Sequence, residues 1–527
     1  MDTICNPDYD DRYLYVGGVV VIPHCRAGER QMLLLQELLK WARQTPDKIA
    51  AADPTRELSY KRLAMFAAII RKEVLKTTTQ ENVGLVLPGM AATVGCCYGV
   101  LWAGKRLVPL NFLLQPDELK TVCKDAGIDT IVTAKYFEKQ LQPLGVKLLV
   151  LEDLGLKSKF IMGMFKPYPK MPKVDPEDVA VILYTSGTDG QQKGVCLTYR
   201  NFHENVKAAT ERVSATSDYV FLSILPMFHV FGLTALMFWP IHIGGTVHYI
   251  PRFQATQVVN TIKEKKVTIF MAVSGMYRAM LRVAGATPED LSSLLYTISG
   301  GEALPDVLYD DYKARYGIEI LQGYGLTETS PIVSVNIPSE SKKGTTGRPL
   351  RGIEFRTVDD DGKDVGPDGV GEILIRGHCV MKGYYKRPDL TAKAVDSDGW
   401  LKTGDMGKLD ADGYLSITGR KKEMIIVGGE NVYPREIENV LDTHEAVAES
   451  AVVGQNDGLR GEIPVAFVTL HEGQETTDRD LRDFCRKRLA AYKVPKQIHI
   501  AVDLPRGPTG KILKRGLHGL LEKRQAS

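Results

Sequence analysis

The sequence predicts an α/β protein with a large N-terminal domain of layered α/β sheets, a β-rich subdomain and a small α+β C-terminal domain. Three observations lead to this fold class. A chain of 527 residues is too long for one hydrophobic core. Short apolar strands alternate with helical stretches, as in parallel α/β layers. From about residue 351, short strands are separated by Asp-Gly pairs, which are typical of hairpin turns.

The elements follow in chain order. Residues 1 to about 30 show no pattern that we can interpret, and an apolar helical pattern begins at Leu33. The layered region contains a helix over 91–103 and strands over 83–87, 130–133, 148–151, 179–183, 268–272 and 294–299. Asp-Gly pairs at 361–362, 368–369, 398–399 and 412–413 place turns in a β-rich subdomain over about 350–418. After Gly419 the pattern becomes α+β and ends in a basic tail.

Composition excludes several classes of protein. A net charge of +3 on this length gives no electrostatic footprint for nucleic acid. Eight scattered cysteines without a CxxC pair indicate reduced thiols rather than a zinc site or a disulfide framework. No run reaches the roughly 18 to 20 apolar residues of a membrane-spanning helix, and acidic residues precede the apolar run 16–23, which argues against a secretory signal. We therefore expect a cytoplasmic protein.

One segment, residues 157–173, is both basic and apolar. It holds five lysines, no acidic residue and a cluster of apolar and aromatic side chains that includes Met164 and Phe165. Such a loop could contact an anionic membrane surface or an acidic partner. A solvated connection between two elements is the competing interpretation.

Residues 184–195, YTSGTDGQQKGV, form a candidate phosphate-binding loop directly after the strand 179–183. Glycines, hydroxyl side chains and backbone N–H groups can surround phosphate oxygens, and Lys193 adds a positive charge. The loop is not a Walker A motif, because Gly194 follows Lys193 where a Ser or Thr would hold magnesium. Two residues are unusual for a phosphate site: Asp189 adds a negative charge, and Gln192 precedes the lysine.

Five further segments accompany this loop: GGEAL at 300–304, QGYGLTE at 322–328, WLKTGD at 400–405, GRKKE at 419–423 and PRGPTGK at 505–511. The first follows an apolar strand, and α/β folds bind nucleotides at the carboxyl ends of strands. In this order across residues 184–511, the six segments resemble the motifs of the adenylate-forming superfamily. That superfamily includes acyl-CoA synthetases, stand-alone adenylation domains and luciferases.

The resemblance implies a site for ATP and Mg²⁺. By this resemblance Tyr324 stacks on adenine, Thr327 contacts the α-phosphate, and Glu328, together with Thr188, holds the metal. A carboxylate with phosphate oxygens is a normal magnesium environment. Asp405 would accept both ribose hydroxyls, with Arg420 also reaching the ribose. The implied nucleotide-binding residues are Thr185, Ser186, Gly187, Thr188, Lys193, Gly301, Glu302, Ala303, Gln322, Gly323, Tyr324, Gly325, Thr327, Asp405, Arg420, Lys422 and Lys511.

The resemblance also implies a mobile C-terminal lid. It places a hinge at Lys422, so that residues 1–421 form the AMP-binding domain and residues 422–527 form the lid. Lys511 would neutralise the substrate carboxylate and the α-phosphate while the acyl-adenylate forms. The lid then rotates, and Gly428 and Gly429 line a tunnel for the pantetheine arm of CoA, the co-substrate.

The acid and the accepting thiol are less determined. By resemblance His229 is a positioned gate beside the acid and phosphate site, with a buried structural histidine as the alternative. The uncharged run 233–243 indicates either the wall of a pocket for a fatty or other apolar acid, or a core helix. The segment 371–385 is similar to medium- and long-chain acyl-CoA synthetases. Segments 227–234 and 323–336 are similar to acyl-acyl-carrier-protein synthetases, which leaves CoA and a carrier protein open as acceptors.

The sequence thus predicts an ATP-dependent acid–thiol ligase that makes an acyl-adenylate and releases AMP and pyrophosphate. A non-catalytic lipid- or nucleotide-binding relative and a luciferase-like oxygenase are the alternatives. The retention of Lys193, Glu328, Asp405, Arg420 and Lys511 argues against the first of these.

Overall fold

A computed structural model describes residues 14–16, 19–21, 33–163, 166–186, 192–457, 461–507 and 511–525. It confirms the predicted α/β class, with a large N-terminal domain and a small C-terminal domain. The predicted strands and the helix over 91–103 are present, with ends that shift by up to three residues. In the segment before residue 30, the structure adds a small antiparallel hairpin of β1 (Leu14–Val16) and β2 (Val19–Val21).

The first large sheet has seven strands and contains both strands that border the phosphate loop. Pairing is parallel between its central strands and antiparallel at the two pairs nearest the loop. In order across the sheet, the strands are β20 (Gly383–Tyr384), β10 (Gln192–Thr198), β9 (Val179–Ser186), β6 (Arg106–Pro109), β5 (Asn82–Val86), β7 (Thr130–Thr133) and β8 (Lys147–Val150).

The second large sheet has nine strands, and six of them run parallel to one another. Because parallel strands end at the same edge, the loops after β13, β14 and β15 meet there. In order across the sheet, the strands are β17 (Arg348–Pro349), β16 (Ile332–Val335), β15 (Leu321–Gly325), β14 (Tyr296–Ser299), β13 (Ile269–Ala272), β11 (Val220–Ser223), β12 (Thr246–Tyr249), β3 (Ile49–Asp53) and β4 (Arg56–Ser59).

Helices cover these sheets and connect their strands. In the N-terminal domain they are α1 (Leu33–Gln44), α2 (Tyr60–Thr77), α3 (Ala91–Trp102), α4 (Pro116–Ala126), α5 (Lys135–Leu141), α6 (Leu156–Gly163), α7 (Tyr199–Val213), α8 (Val230–Leu233), α9 (Trp239–Ile243), α10 (Ala255–Lys265), α11 (Ser274–Leu281), α12 (Asp306–Tyr316) and α13 (Pro388–Ala394). A π-helical turn, Thr234–Phe238, joins α8 to α9.

Helix α3 shows how sequence determines packing in the core. Every residue of α3 is buried, as expected for a helix that is apolar all round. Two glycines let α2 approach closely: a Cβ on Gly95 would lie 2.3 Å from the ring of Phe66, and a Cβ on Gly99 would lie 2.6 Å from Ile70. We therefore expect a larger residue at either position to separate the two helices.

The β-rich subdomain is a four-stranded antiparallel sheet of β18 (Ile353–Val358), β19 (Gly371–Gly377), β21 (Leu401–Leu409) and β22 (Leu415–Arg420). All four Asp-Gly pairs contain a residue with positive φ, which is at Gly362, Asp368, Gly399 and Gly413. The register of β21 against β22 pairs Asp405 with Arg420, so that two residues of separate predicted motifs become direct neighbours.

The C-terminal part contains the hairpin β23 (Ile425–Val427) and β24 (Glu430–Val432), and a sheet of β25 (Val447–Asn456), β26 (Glu462–Leu470) and β27 (Gln497–Ile500). Its helices are α14 (Pro434–Asp442), α15 (Asp478–Arg486) and α16 (Lys514–Gln525). Lys421, just before the predicted hinge, pairs with Asp360 at 2.8 Å, and Glu423, just after it, pairs with Lys514 at 3.2 Å. The domain boundary at Lys422 stays a prediction.

The basic segment 157–173 begins in α6 and packs on α2. Phe160 stacks on Phe66 at a ring distance of 6.0 Å, and Lys159 pairs with Glu73 at 3.0 Å. Ile161 and Met162 are exposed, while Met164 and Phe165 lie outside the described residues. Within the described ranges, no helix is both long and apolar enough to cross a membrane. Membrane contact through this segment stays a prediction.

Candidate active site

One cavity of about 400 Å³ collects side chains from both large sheets, the β-rich subdomain and the C-terminal domain. Of the residues predicted from sequence, those in its wall are Thr185, Lys193, His229, Gly301, Gly323, Tyr324, Gly325, Thr327, Glu328, Arg420, Lys422 and Lys511. They come from segments more than 300 residues apart in the chain. The tertiary structure therefore brings all six predicted motifs to one place.

Asp405 lies directly behind this wall. Its side chain is only 5% exposed, and its two oxygens accept from different donors. The Nε of Arg420 donates to Oδ1 at 3.0 Å, and the hydroxyl of Tyr324 donates to Oδ2 at 2.6 Å. Burial raises the pKa of Asp405, while Arg420 and the Tyr324 hydroxyl oppose that shift. Asp405 thus anchors the two cavity residues that are predicted to contact adenine and ribose.

The phosphate end of the cavity contains Thr185, Lys193 and Glu328. Thr185 and Lys193 face each other across the β9–β10 pair, at the base of the loop. Glu328 lies in a short 3₁₀ turn, Thr327–Thr329, that follows β15. Gly187, Thr188 and Asp189 lie outside the described residues, as does the side chain of Ser186, so the structure places no group for the predicted second metal ligand.

A magnesium ion fits the residues at this end. Glu328 is the one carboxylate among the described residues of the cavity wall. In the part of the chain that the structure describes, no three His, Cys, Asp or Glu side chains converge as a protein-only metal cage. A single carboxylate suits Mg²⁺ when phosphate oxygens and water supply the other ligands. Glu328 would therefore hold the ion together with the nucleotide.

Sequence reasoning missed one residue at the phosphate end. The Tyr384 side chain lines the cavity, and its hydroxyl donates to Oε1 of Glu328 at 2.9 Å. The ammonium of Lys193 lies 5.7 Å from the centre of the Tyr384 ring. The segment 383–385 carried only a family resemblance, and nothing local in it points to Glu328, which is 56 residues away.

Lys511 belongs to the C-terminal domain and reaches the cavity beside Gly301. A Cβ placed on Gly301 would lie 3.3 Å from both Cε and Nζ of Lys511, and Gly301 has φ +83°. Burial lowers the pKa of Lys511, and the nearby carboxylate of Glu302 opposes that shift. Burial raises the pKa of Glu302, against the charge of Lys511 and backbone hydrogen bonds. The charges of Glu302 and Lys511 thus influence each other, although Glu302 does not line the cavity.

His229 has features of both interpretations offered by the sequence, a gate beside the acid site and a buried structural histidine. It lines the cavity, yet its Nδ1 accepts the N–H of Phe231 at 3.3 Å and so caps α8. Burial and the charge of Lys511 lower the pKa of His229 to about 4. The imidazole is therefore neutral near pH 7, and because Nδ1 is an acceptor, its proton is on Nε2.

The rest of the cavity wall is largely apolar. Helix α7, the α8–α9 helix, β13, β14 and the region of β16 supply this lining: Ala209, Val213, Val230, Phe231, Trp239, Met271, Ile298, Pro331, Ile332 and Val335. Of the run 233–243, only Trp239 lines the cavity, so the prediction that this run forms the pocket wall is wrong for its other residues. Most of them are buried in the main hydrophobic core, so the alternative interpretation, a core helix, holds for them.

The remaining predicted residues lie outside the cavity wall. Ala303 follows β14, where its carbonyl accepts the hydroxyl of Ser274 at 3.0 Å, and Gln322 lies within β15. Gly428 and Gly429 form the tip of the β23–β24 hairpin with φ +61° and +92°. Both are exposed, and neither lines the cavity. This arrangement brings Lys511, not the glycine hairpin, into the site.

Comparison with known proteins agrees with this geometry. The family model described as AMP-binding enzyme matches residues 38–385, and the model described as AMP-binding enzyme C-terminal domain matches residues 436–511. The chain is 36% identical over 487 residues to a long-chain-fatty-acid–CoA ligase of Bacillus subtilis, covering 83% of this chain and 85% of that protein. It is 34% identical over 509 residues to an indoleacetate–CoA ligase of Aromatoleum aromaticum, covering 93% and 99%.

Two solved structures are similar over nearly the whole fold. ATP-bound MatB from Rhodopseudomonas palustris superimposes with a TM-score of 0.85 at 27% identity, covering 91% of this chain and 98% of that one. The o-succinylbenzoate coenzyme A synthetase of Bacillus subtilis, in complex with ATP and magnesium ion, gives a TM-score of 0.80 at 30% identity, covering 92% and 99%.

Proposed function

Because this chain belongs to the AMP-binding enzyme family, we propose that it is an ATP-dependent acid–CoA ligase. The observation that carries the proposal is the single cavity that joins Lys193, Glu328 and Lys511 to an apolar pocket. The charged end suits the triphosphate of ATP, and the apolar end suits the body of a carboxylic acid. ATP, Mg²⁺ and CoA are accordingly the cofactor and co-substrates that we assign.

The first half-reaction joins two anions. A carboxylate oxygen of the acid bonds to the α-phosphorus of ATP, the bond from that phosphorus to the β-phosphate oxygen breaks, and pyrophosphate leaves. Lys511 and Lys193 both supply positive charge to this site, where preorganised charge stabilises the transition state. When bound at Glu328, Mg²⁺ would add further charge neutralisation on the phosphates. No protein nucleophile is needed.

The second half-reaction requires a different arrangement of the lid. The CoA sulfur bonds to the acyl carbon, AMP leaves, and the thiol proton passes to solvent. The exposed hairpin tip at Gly428 and Gly429 does not line the cavity in this arrangement, so its proposed role in the pantetheine tunnel requires rotation of the C-terminal domain. Lys421 and Glu423 are bound to opposite domains, which supports a pivot at Lys422 between them.

A medium- or long-chain fatty acid is the substrate that we propose. Among the described residues, the apolar part of the lining carries no charged group to bind a second carboxylate, a sulfonate or an ammonium. The similarity to a long-chain-fatty-acid–CoA ligase supports the same class. An aryl acid is the alternative, because the chain is also similar to an indoleacetate–CoA ligase. For the acceptor we favour CoA over a carrier protein, since the named relatives are CoA ligases.

Pyrophosphate release from ATP tests the proposal. It would be measured over acids from acetate to palmitate, with indoleacetate and benzoate, in the presence and absence of CoA. We expect the largest response for a fatty acid, formation of AMP, and faster turnover with CoA. Pyrophosphate release that CoA does not accelerate would point to a carrier protein as the acceptor. No pyrophosphate release with any acid would contradict the ligase assignment. Light emission in oxygen, tested with the same samples, would indicate an oxygenase instead.

A further inference from the structure

The Tyr384 side chain connects the two charged groups at the phosphate end of the cavity. Its hydroxyl donates to Oε1 of Glu328 at 2.9 Å. The face of its ring lies 5.7 Å from the ammonium of Lys193, within the range of a cation–π interaction. All three side chains line the same cavity. One neutral side chain thus contacts both the carboxylate assigned to the metal and the cation assigned to phosphate.

The backbone fixes Tyr384 in this position. β20 pairs with β10, so Tyr384 is opposite Val195, two residues after Lys193. The Tyr384 N–H donates to Oγ1 of Thr391 at 2.9 Å. At Gly383, φ is +147° and a Cβ would lie 2.8 Å from the Thr391 side chain, so the close approach needs glycine. The ring is therefore held by the strand that follows the phosphate loop.

Resting on the function proposed above, we propose that Tyr384 is a positioning residue that orients Glu328 toward the metal-bearing phosphates of ATP. A carboxylate has two oxygens and about four lone-pair sites. One hydrogen bond from Tyr384 fixes its orientation and leaves acceptor capacity for a cation. The ring also holds Lys193 on the same side of the site. Positioned groups of this kind lower the reorganisation needed when the ligand binds.

The next residue provides a matched control. Tyr385 has the same side chain on the same strand end, but its hydroxyl accepts the amide of Asn82 at 3.0 Å, and Tyr385 does not line the cavity. Its N–H donates to the carbonyl of Gly194 at 2.7 Å, so it supports the phosphate loop through the backbone. Each substitution to phenylalanine removes one hydroxyl and its hydrogen bond, but of the two tyrosines only Tyr384 contacts Glu328.

The test is calorimetric titration of ATP into the full-length protein, without acid, in Mg²⁺ and in EDTA. For Tyr384→Phe we expect ATP binding in Mg²⁺ to weaken about tenfold, since a hydrogen bond to a charged group is lost. Binding in EDTA should change less than about twofold, because Glu328 acts through the metal. Tyr385→Phe should match the wild type in both buffers. In a Glu328→Gln background, Tyr384→Phe should have no further effect on binding in Mg²⁺.

Four outcomes would overturn the inference. If the ATP affinity of Tyr384→Phe depended on Mg²⁺ as that of the wild type does, the hydroxyl would not orient a metal ligand. Equal weakening in Mg²⁺ and EDTA would indicate support of the phosphate loop alone. A wild-type protein that binds ATP equally with and without Mg²⁺ would refute the role of Glu328 but leave ATP use intact. Absence of ATP binding by the wild type would instead refute the proposed function, and this inference with it.

Discussion

The contact between Gly301 and Lys511 gives a sharp prediction for Gly301→Ala. The added methyl group would lie 3.3 Å from both Cε and Nζ of Lys511, so the lysine tip must move by a few tenths of an ångström. The positive φ of +83° also strains alanine, which costs about 1–2 kcal/mol. Lower entropy of the unfolded chain offsets about half of that strain, so we expect a net loss of about 1 kcal/mol in the free energy of unfolding.

Gly317→Ala is the matched control. Gly317 ends α12 with φ +71°, and nothing lies within 4 Å of an added Cβ. Both variants therefore share the backbone strain, and only Gly301→Ala displaces Lys511. Small misplacements of a catalytic group are costly, and we expect about a tenfold fall in the rate of acyl-adenylate formation for Gly301→Ala alone.

The assay is acid-dependent exchange between ATP and labelled pyrophosphate, with thioester formation from supplied acyl-adenylate and CoA measured separately. We expect Gly301→Ala to affect the first and spare the second, because the role proposed for Lys511 belongs only to the first. In a Lys511→Ala background, Gly301→Ala should lose most of its effect. Equal exchange rates for the two glycine variants, or an undiminished effect without the lysine, would refute the reasoning.

Three further predictions concern the same cavity. Lys511→Ala should slow acyl-adenylate formation about 10²- to 10³-fold, which is the usual cost of losing one positioned charge, and it should leave thioester formation from supplied acyl-adenylate unchanged. Equal loss of both half-reactions would contradict the role proposed for Lys511. Burial and the charge of Lys511 lower the pKa of His229 to about 4, whereas the unfolded value is near 6.5, so the folded state binds fewer protons than the unfolded state between these pH values. The contribution of His229 to the free energy of unfolding is therefore complete above pH 6.5 and falls toward pH 4 by up to about 1.4 kcal/mol per pH unit. His229→Gln should flatten the unfolding free energy over that window, which denaturant titrations at several pH values would measure. Trp239→Phe replaces a large side chain of the apolar cavity wall by a smaller one, so it should raise kcat/KM for longer or bulkier acids relative to the acid that the wild type prefers, with little change in nucleotide binding. An unchanged ranking of acids would exclude Trp239 from the acid site.

Much of this fold follows from local sequence patterns. Apolar runs of four to eight residues bounded by turns are β-strands, and Asp-Gly pairs form turns because one residue of each pair takes positive φ. The site could also be predicted in outline, since the motif residues Lys193, Glu328 and Lys511 all reach one cavity. The run 233–243 could not be assigned, because an apolar pocket wall and a core helix have the same composition.

The sequence by itself determined the fold class, the order of the motifs and the charged residues of the site, because each depends on side-chain chemistry and short-range backbone preference. Only the tertiary structure decided which groups meet. Asp405 is bound by Arg420 through the register of two strands, Tyr384 reaches Glu328 across two sheets, and Trp239 reaches the cavity from α9. Such contacts depend on how distant segments pack, and packing is a property of the whole core rather than of any local segment.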